Sequence, residues 1–260
     1  YGMEAMMKDG KSLQAGTSHF LGQNFAKAFD IKFLDKDGVQ KFVYTSSWGV
    51  STRLIGALIM AHGDERGLLL PTVVAPTQVV IVPIAAKKGG VLEKCVEVKA
   101  QLEKAGVRVV FDETDASPGW KFNEWELKGV PLRIEMGPRD IEAGKALIFR
   151  RDTLTKEEYS LDGIADEVKT LLNTVQKDML EAARARRDSH IVTAETLAEI
   201  FDGVEKGNFV KAGWCGCREC EDKIKAETNA TARVIADGIA KKCAVCGKKA
   251  QSLVYFARAY

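Results

Sequence analysis

Residues 78–111, QVVIVPIAAKKGGVLEKCVEVKAQLEKAGVRVVF, decide the fold class of this chain. Positions 79–84 are almost entirely apolar, which is typical of a strand buried on both faces. A helical spacing follows and Gly106 can end that helix, so that 107–111 read as a second strand. The apolar positions of the predicted helix are Val91, Leu92, Cys95, Val98 and Leu102. The order strand, helix, strand predicts a βαβ unit in which Cys95 belongs to the core rather than to a site.

The pattern continues on both sides of this unit. Further strands are predicted at 131–136 and 145–150, followed by a long amphipathic helix. Its apolar stripe is Ile164, Val168, Leu171, Val175 and Met179. Upstream, the sequence predicts a hairpin with strands at 31–34 and 40–44, a buried helix at 50–62, a strand at 68–70 and a linker at 71–76. Downstream, it predicts a short helix at 196–204. The chain is therefore predicted to contain an α/β domain with a mixed sheet.

Composition sets broad limits on the function. The chain has 260 residues, 46% of them apolar and 28% charged, which suits two or three folded domains. A net charge of +2 gives no overall signal for nucleic acid. The stretch 67–86 is uncharged, but three prolines interrupt it, and we expect extended segments rather than a membrane helix. No signal peptide is recognisable, and a cytoplasmic location is expected.

Five cysteines in the C-terminal part of the chain predict a metal site. Cys215, Cys217 and Cys220 precede Cys243 and Cys246 by about twenty residues, a spacing that suits tetrahedral zinc. Free or disulfide-linked cysteines are the alternative. Spacing alone favours Cys217 with Cys220 as the first pair, while Cys215 with Cys220 is also geometrically possible. No acid, base or nucleophile accompanies the cluster, which predicts structural rather than catalytic zinc.

Polar side chains are crowded into 13–25, as in the wall of a pocket. Taken alone, His19 would more often be a structural histidine and Gln14 a surface residue. Arg53 lies among apolar neighbours, and a buried arginine needs an anionic partner, which a bound phosphate could supply.

These segments resemble the prolyl-tRNA synthetases of the archaeal and eukaryotic kind. The resemblance is carried by Gln14-Ala-Gly-Thr-Ser-His19 with Leu21-Gly-Gln-Asn-Phe25, by Ser47-Trp-Gly-Val-Ser-Thr-Arg53, by 120–133, by Gly137-Pro-Arg-Asp140 and by the terminal Phe256-Ala-Arg-Ala-Tyr260. It implies the end of an antiparallel-sheet class II catalytic domain at 1–75, an α/β anticodon-binding domain at 76–180 and a small zinc-bearing α+β domain at 181–260. The first two class II motifs precede these segments in the family, so we expect the 260 residues alone to be inactive.

The resemblance also implies roles for individual residues. The residues expected to bind ATP are Gln14, Thr17, Ser51 and Arg53, with Arg53 as the catalytic residue that stabilises charge on phosphate oxygens. The residues expected to line the proline pocket are His19, Trp48 and Gly49. The expected anticodon contacts are Glu126, Arg133, Arg139 and Asp140. The expected zinc ligands are Cys215, Cys220, Cys243 and Cys246, with Cys217 as an additional thiol that could replace Cys215.

The partners implied are tRNA(Pro), L-proline and ATP with Mg²⁺, in a homodimer of the longer protein, with no DNA and no membrane. The terminal carboxylate of Tyr260 is expected to point back toward the active site. Two rival functions remain. One is a synthetase-like binding protein without activity, which would hold RNA or a protein partner. The other is a zinc hydrolase, which four cysteine ligands disfavour because they leave no open coordination position. Separately, the alternative to base contacts in 120–140 is that Trp120 and Trp125 are core residues and the neighbouring charges a solvated face.

Overall fold

The computed structural model describes residues 1–260, which form two compact units. One unit combines Tyr1–Ala61 with Arg187–Tyr260, and the other is His62–Arg186. The first and last segments of the chain therefore share a unit, although they are far apart in sequence. The division into three domains at 75 and 180 stays a prediction.

The first unit begins with a small antiparallel sheet. Its elements are β1 (Gly2–Met6), β2 (Ser12–Gly22), α1 (Asn24–Ala28), β3 (Lys32–Leu34), β4 (Gln40–Phe42), β5 (Thr45–Val50) and α2 (Arg53–His62). Strands β1, β2 and β5 form the three-stranded sheet in the order β1-β2-β5, and β3 with β4 forms a separate hairpin. The hairpin at 31–44 and the helix within 50–62 were both predicted from sequence and are present. The prediction that this helix is buried is wrong, because Ala57 is its only buried residue.

One face of the three-stranded sheet packs against α2. Met7, Leu13 and Ala57 are buried together, with Ala5 and Met60 packed beside them. Because side chains alternate along a strand, Met6, Ser12 and Gln14 lie on the opposite face of the sheet from Ala5, Met7 and Leu13. That second face carries the polar candidates.

The second unit is an α/β domain with a mixed sheet, as predicted. Its elements are β6 (Val79–Pro83), α3 (Val91–Lys104), β7 (Val109–Phe111), α4 (Pro118–Leu127), β8 (Leu132–Met136), α5 (Pro138–Glu142), β9 (Lys145–Arg150), β10 (Lys156–Ser160) and α6 (Ile164–Ser189). The sheet order is β10-β9-β8-β6-β7, with β6 parallel to β7 and β8, and β9 antiparallel to β8 and β10. Strands β6 and β8 are buried at every position; β6 is apolar throughout, whereas β8 also carries the buried charged residues Arg133 and Glu135.

The helices α3 and α6 complete the core of this unit. Their buried residues include Val91, Cys95, Val98, Leu102, Ile164, Val168, Leu171, Val175 and Met179, which are the stripes predicted from sequence except for one position. Leu92, also predicted to belong to the stripe of α3, is exposed. Burial also raises the pKa of the Cys95 thiol to about 12, so that this cysteine is an inert core residue.

One predicted strand, at 68–70, is wrong. These residues belong to no strand, and instead their amides donate to an irregular partner: the Leu68 N–H to Leu127 O at 2.9 Å and the Leu70 N–H to Gly129 O at 3.3 Å. The two carbonyl groups belong to the end of α4 and to the turn that follows it, so these hydrogen bonds do not form a regular pair of strands. Helix α4 itself was not predicted, although Ser117 caps it and Pro118 occupies its first turn.

The C-terminal part of the first unit is a second sheet with two helices. Its elements are β11 (Ile191–Ala194), α7 (Leu197–Glu205), β12 (Phe209–Trp214), α8 (Arg218–Thr228), β13 (Thr231–Ala236) and β14 (Ser252–Ala257), with strand order β11-β12-β14-β13. The predicted helix at 196–204 corresponds to α7, which starts with a capping box between Thr196 and Glu199. Across the whole chain, no helix has both the length and the apolar character needed to cross a membrane.

Candidate functional site

A bulge in β2 brings the polar candidates of the first sheet onto one face. Gly2 pairs with Thr17 and Glu4 pairs with Gln14, so that one residue of β2, Ala15, is additional. Without this extra residue, Gln14 and Thr17 would lie on opposite faces, because three positions separate them. With it, Gln14 and Thr17 lie on the same face. The Gln14 side chain extends toward Gly2, the partner of Thr17, because a Cβ added to Gly2 would lie 4.0 Å from Gln14 Nε2.

The pairing of β2 with β5 extends this face. Thr17 is opposite Gly49 and His19 is opposite Ser47, so these residues lie on the same side as Gln14. Trp48 is opposite Ser18 and therefore lies on the other side of the sheet. The structure brings Gln14, Thr17, His19 and Gly49 together, whereas the placement of Trp48 in the same pocket stays a prediction that the register does not support.

Ser51 and Arg53 close the end of this face at the start of α2. The Arg53 N–H donates to Ser51 Oγ at 3.3 Å. An open cleft of about 330 Å³ is lined by both residues together with the sheet positions Gln14, Ala15, Gly16, Thr17, Gly49 and Val50. The Arg53 side chain is exposed, not buried as its apolar neighbours suggested. It is therefore available to an anion in the cleft.

The C-terminal tail lies along the starting edge of β2. The Ser12 N–H donates to Arg258 O at 2.7 Å, and the Tyr260 N–H donates to Ser12 O at 3.2 Å. The Tyr260 hydroxyl donates to Asp9 Oδ2 at 2.6 Å, which raises the pKa of Tyr260 to about 12. Tyr260 also lines a second cleft of about 390 Å³ that contains Gln14, Arg53 and Arg233.

In the second unit, Arg133 and Glu126 bind each other. Arg133 is 5% exposed, and its guanidinium donates to Glu126 Oε1 at 2.9 Å and to Glu135 Oε1 at 3.0 Å. The guanidinium carbon lies 4.0 Å from the ring centre of Phe122 and 4.2 Å from that of Phe149. Burial acts to raise the pKa of Glu126, but hydrogen bonds from Arg133 and Arg66 hold it below its ordinary value. These two candidates form an internal network.

The other two anticodon candidates lie on α5. Arg139 is exposed to solvent. Asp140 accepts the Gly137 N–H at 2.8 Å and so caps the helix. Of the two nearby tryptophans, Trp120 is 56% exposed, whereas Trp125 is partly buried and donates from Nε1 to Asp112 Oδ2 at 2.7 Å. Trp120 thus offers an exposed flat surface beside the candidates, which the core interpretation of both tryptophans did not anticipate.

Four cysteines of the first unit converge. The sulfur atoms of Cys215, Cys220, Cys243 and Cys246 all lie within 4.8 Å of one another. Cys215 Sγ is 3.7 Å from the sulfurs of both Cys220 and Cys246. Tetrahedral Zn–S bonds of about 2.3 Å require S···S separations of ~3.8 Å, so the donor set fits zinc.

The loop that carries the last two cysteines is shaped as a metal knuckle. The Gly247 N–H donates to Cys243 O at 2.9 Å, and Gly247 has a φ of 71°, which favours glycine. Burial acts to raise the pKa of Cys243, but the Cys246 and Val245 backbone N–H groups lower it to about 7. Cys217 lies outside the group of four, with its sulfur 3.2 Å from that of Cys215. The choice of Cys215 over Cys217 as ligand stays a prediction.

Sequence reasoning missed two residues beside the cleft, Glu4 and Arg233. Arg233 Nη2 donates to Glu4 Oε2 at 2.8 Å, and the Glu4 side chain is only 5% exposed. No motif marks either residue. The only available signal was charge: each is a charged position in a short, otherwise uncharged strand, where a buried charge needs a partner.

Comparison with known proteins gives matches along the whole chain. The family model described as "Anticodon binding domain" matches residues 78–171, and that described as "Prolyl-tRNA synthetase, C-terminal" matches residues 197–260. A proline–tRNA ligase of Acetoanaerobium sticklandii is 55% identical over 265 residues, covering 100% of this chain and 55% of that protein. Proline–tRNA ligase 2 of Clostridioides difficile is 53% identical, with the same two coverages.

A solved structure also matches. It is that of prolyl-tRNA synthetase from Cryptosporidium parvum complexed with halofuginone and AMPPNP, with a TM-score of 0.94 and 38% identity. The match covers 100% of this chain and 57% of that one. The chain thus spans about half the length of the curated relatives described above.

Proposed function

Because this chain belongs to the prolyl-tRNA synthetase family and corresponds to its C-terminal region, we propose that the protein attaches L-proline to tRNA(Pro). The reaction uses ATP and passes through prolyl-adenylate. The observation that carries the proposal is the common face of Gln14, Thr17, His19 and Gly49 in the first sheet. Residues of the types needed for a nucleotide and a small amino acid meet there.

The proposed chemistry is activation of a carboxylate. An oxygen of the proline carboxylate attacks the α-phosphorus of ATP, the bond from that phosphorus to the bridging oxygen breaks, and pyrophosphate leaves. Gln14, Thr17 and Ser51 hold the nucleotide, while His19, Gly49 and, as a further prediction, Trp48 hold proline. Arg53 stabilises the negative charge that develops on phosphate oxygens, and Mg²⁺ bound with ATP adds to this stabilisation. Catalysis by alignment and charge stabilisation needs no covalent nucleophile.

The second unit is proposed to bind the anticodon of tRNA(Pro). The family match over 78–171 supports this role, and the exposed Trp120 and Arg139 supply the stacking surface and the charge that unstacked bases require. Asp140 is proposed as a further base contact. Arg133 and Glu126 are proposed contacts whose mutual ion pair must be kept or exchanged when a base binds.

The cysteine group is proposed to hold one structural zinc ion. Cys215, Cys220, Cys243 and Cys246 supply four thiolates, which leaves no position for a catalytic water. Zinc would cross-link the start of α8 to the loop before β14 and so stabilise the C-terminal sheet. We further propose that the full-length protein acts as a homodimer in the cytoplasm, as expected for this family.

Proline-dependent exchange of pyrophosphate into ATP by the full-length gene product tests the proposed function. Exchange should require proline and should fall by at least about 10²-fold in Arg53→Met, as when one preorganised donor is removed from a charged transition state. Ser46→Ala, on the exposed part of β5, is a matched control that should retain exchange. Tight binding of tRNA(Pro) without any exchange would instead favour the synthetase-like RNA-binding protein, which does not need to bind ATP.

A further inference from the structure

An ion pair joins the C-terminal sheet to the strand that faces Gln14. Arg233 donates to Glu4 Oε2 from Nη2 at 2.8 Å and from Nε at 3.3 Å. The same carboxylate oxygen accepts the Ser12 hydroxyl at 2.5 Å, and Ser12 is 1% exposed. The side chains of Glu4 and Arg233 are 5% and 18% exposed. Such a shielded charge pair resists screening by salt and holds its geometry.

Arg233 reaches Glu4 because it is a bulge residue. In the pairing of β13 with β14, Ala232 is opposite Phe256 and Val234 is opposite Tyr255, so that Arg233 has no partner of its own. A bulge turns the extra side chain away from the regular alternation. The Arg233 Nη1 also donates to Thr231 Oγ1 at 3.2 Å, which fixes the direction of the guanidinium.

Glu4 lies at the other bulge, that of β2. It is the residue paired with Gln14, while its neighbour Met3 pairs with Gly16 and Ala15 is left over. Glu4 and Gln14 therefore share a face. Arg233, Gln14 and Arg53 also line the same cleft of about 390 Å³. The two bulges thus meet through one ion pair at the edge of the proposed nucleotide site.

From this arrangement we infer that Arg233 is a positioning residue for the nucleotide: it holds Glu4, and Glu4 holds the β2 bulge that keeps Gln14 on the face of Thr17. The inference rests on the proposed function and adds a residue from the C-terminal sheet to it. Loss of Arg233 leaves a shielded carboxylate without its cation, and the strand can relieve this by moving Glu4 toward water. A shift of one residue in the pairing of β1 with β2 moves Gln14 to the opposite face.

Steady-state kinetics of proline-dependent pyrophosphate exchange in the full-length gene product test the inference. Arg233→Met and Glu4→Gln should each raise the KM for ATP about tenfold, the effect of one lost charge-assisted hydrogen bond, and leave the KM for proline within about twofold. The double variant should be no worse than the more affected single variant, because the two residues act as a unit. Arg233→Lys should restore part of the affinity for ATP.

A matched control is Glu205→Gln, which breaks the ion pair between Glu205 and Arg258 in the same unit. It should leave both KM values unchanged. A merely structural role for Arg233 would lower the melting temperature without separating the two KM values. If Arg233→Met does not fold, Arg233→Lys and Ser12→Ala replace it, with smaller rises in the KM for ATP expected.

The outcomes separate the inference from the proposed function. Absence of proline-dependent exchange in the unmodified protein would overturn the proposed function and the inference with it. Normal exchange with an unchanged KM for ATP in the folded variants of Arg233, Glu4 and Ser12, or with equal rises for ATP and proline, would overturn the inference alone.

Discussion

Replacing Arg133 by methionine should destabilise the second unit strongly. Methionine keeps an unbranched apolar chain between Phe122 and Phe149 but removes the guanidinium. Two charge-assisted hydrogen bonds are lost, to Glu126 at 2.9 Å and to Glu135 at 3.0 Å. Each is worth about 1.5–3 kcal/mol.

Two effects reduce this sum. The cost of burying the guanidinium disappears, and each carboxylate keeps a second partner: Arg66 at 3.1 Å for Glu126 and Lys156 at 2.6 Å for Glu135. We expect a net loss of about 2–4 kcal/mol in the free energy of unfolding. For a unit of this size, that lowers the melting temperature by roughly 8–16 °C.

Calorimetry and urea unfolding of the intact chain measure this loss, with Arg139→Met as the matched control. Arg139 is exposed, and its replacement should change the free energy of unfolding by less than about 0.5 kcal/mol while weakening binding of tRNA(Pro). A change below about 1 kcal/mol in Arg133→Met would refute the reasoning, because it would mean that the cost of burying the guanidinium cancels the gain from its two hydrogen bonds.

Three further predictions concern other parts of the chain. Cys217→Ser should keep one zinc per chain by elemental analysis, whereas Cys243→Ser should lose it; loss of zinc in Cys217→Ser would contradict the ligand set. The bidentate ion pair with the buried Arg151 lowers the pKa of Asp64 from 3.8 to about 2, so its stabilising effect should be complete above about pH 5 and should fade as the pH falls toward 2. Urea unfolding between pH 2 and 7 should therefore show a flatter acid limb in Asp64→Asn, and an unchanged limb would count against the pair. Gly10→Ala would bring a methyl carbon 2.0 Å from a backbone carbonyl oxygen at a φ of 76°, and thermal unfolding should show a loss of several kcal/mol rather than a neutral change.

The βαβ segment could be predicted from sequence because its signals are local. The buried strand β6 contains no polar residue, which makes its apolar pattern easy to recognise, and the buried positions of α3 recur at helical spacing. Helix α4 was not predicted, because its apolar stripe is weak. It could have been recognised from two local signals at its start, the cap at Ser117 and the proline at 118. Helix α8 has almost no apolar stripe from which it could be predicted, because only Cys220, Ile224 and Thr228 of its residues are buried.

The arrangement of the candidate site could not be predicted in the same way. Residue types and the family resemblance pointed to Gln14, Thr17 and His19, but simple alternation along β2 would have put Gln14 on the wrong face. The bulge at Ala15 corrects this, and a bulge is a property of two paired strands rather than of one. The same holds for Arg233, whose partner Glu4 is 229 positions away in sequence.

Because the ribosome makes the chain from its N-terminal end, the two segments of the first unit are synthesised at different times. The whole of His62–Arg186 has been synthesised before any of β11–β14 exists, and since domains fold as units during synthesis, this unit folds first. Until residues 258–260 have been added, the backbone groups of Ser12 at the start of β2 lack their partners, and unpaired strand positions invite aggregation. Glu4 gains its cation only when residue 233 has been added, and Ser12 gains its backbone partners only with the last three residues. Translation that stops before these residues would release a nascent chain in which the start of β2 is still unpaired at Ser12, a substrate for chaperones and proteases.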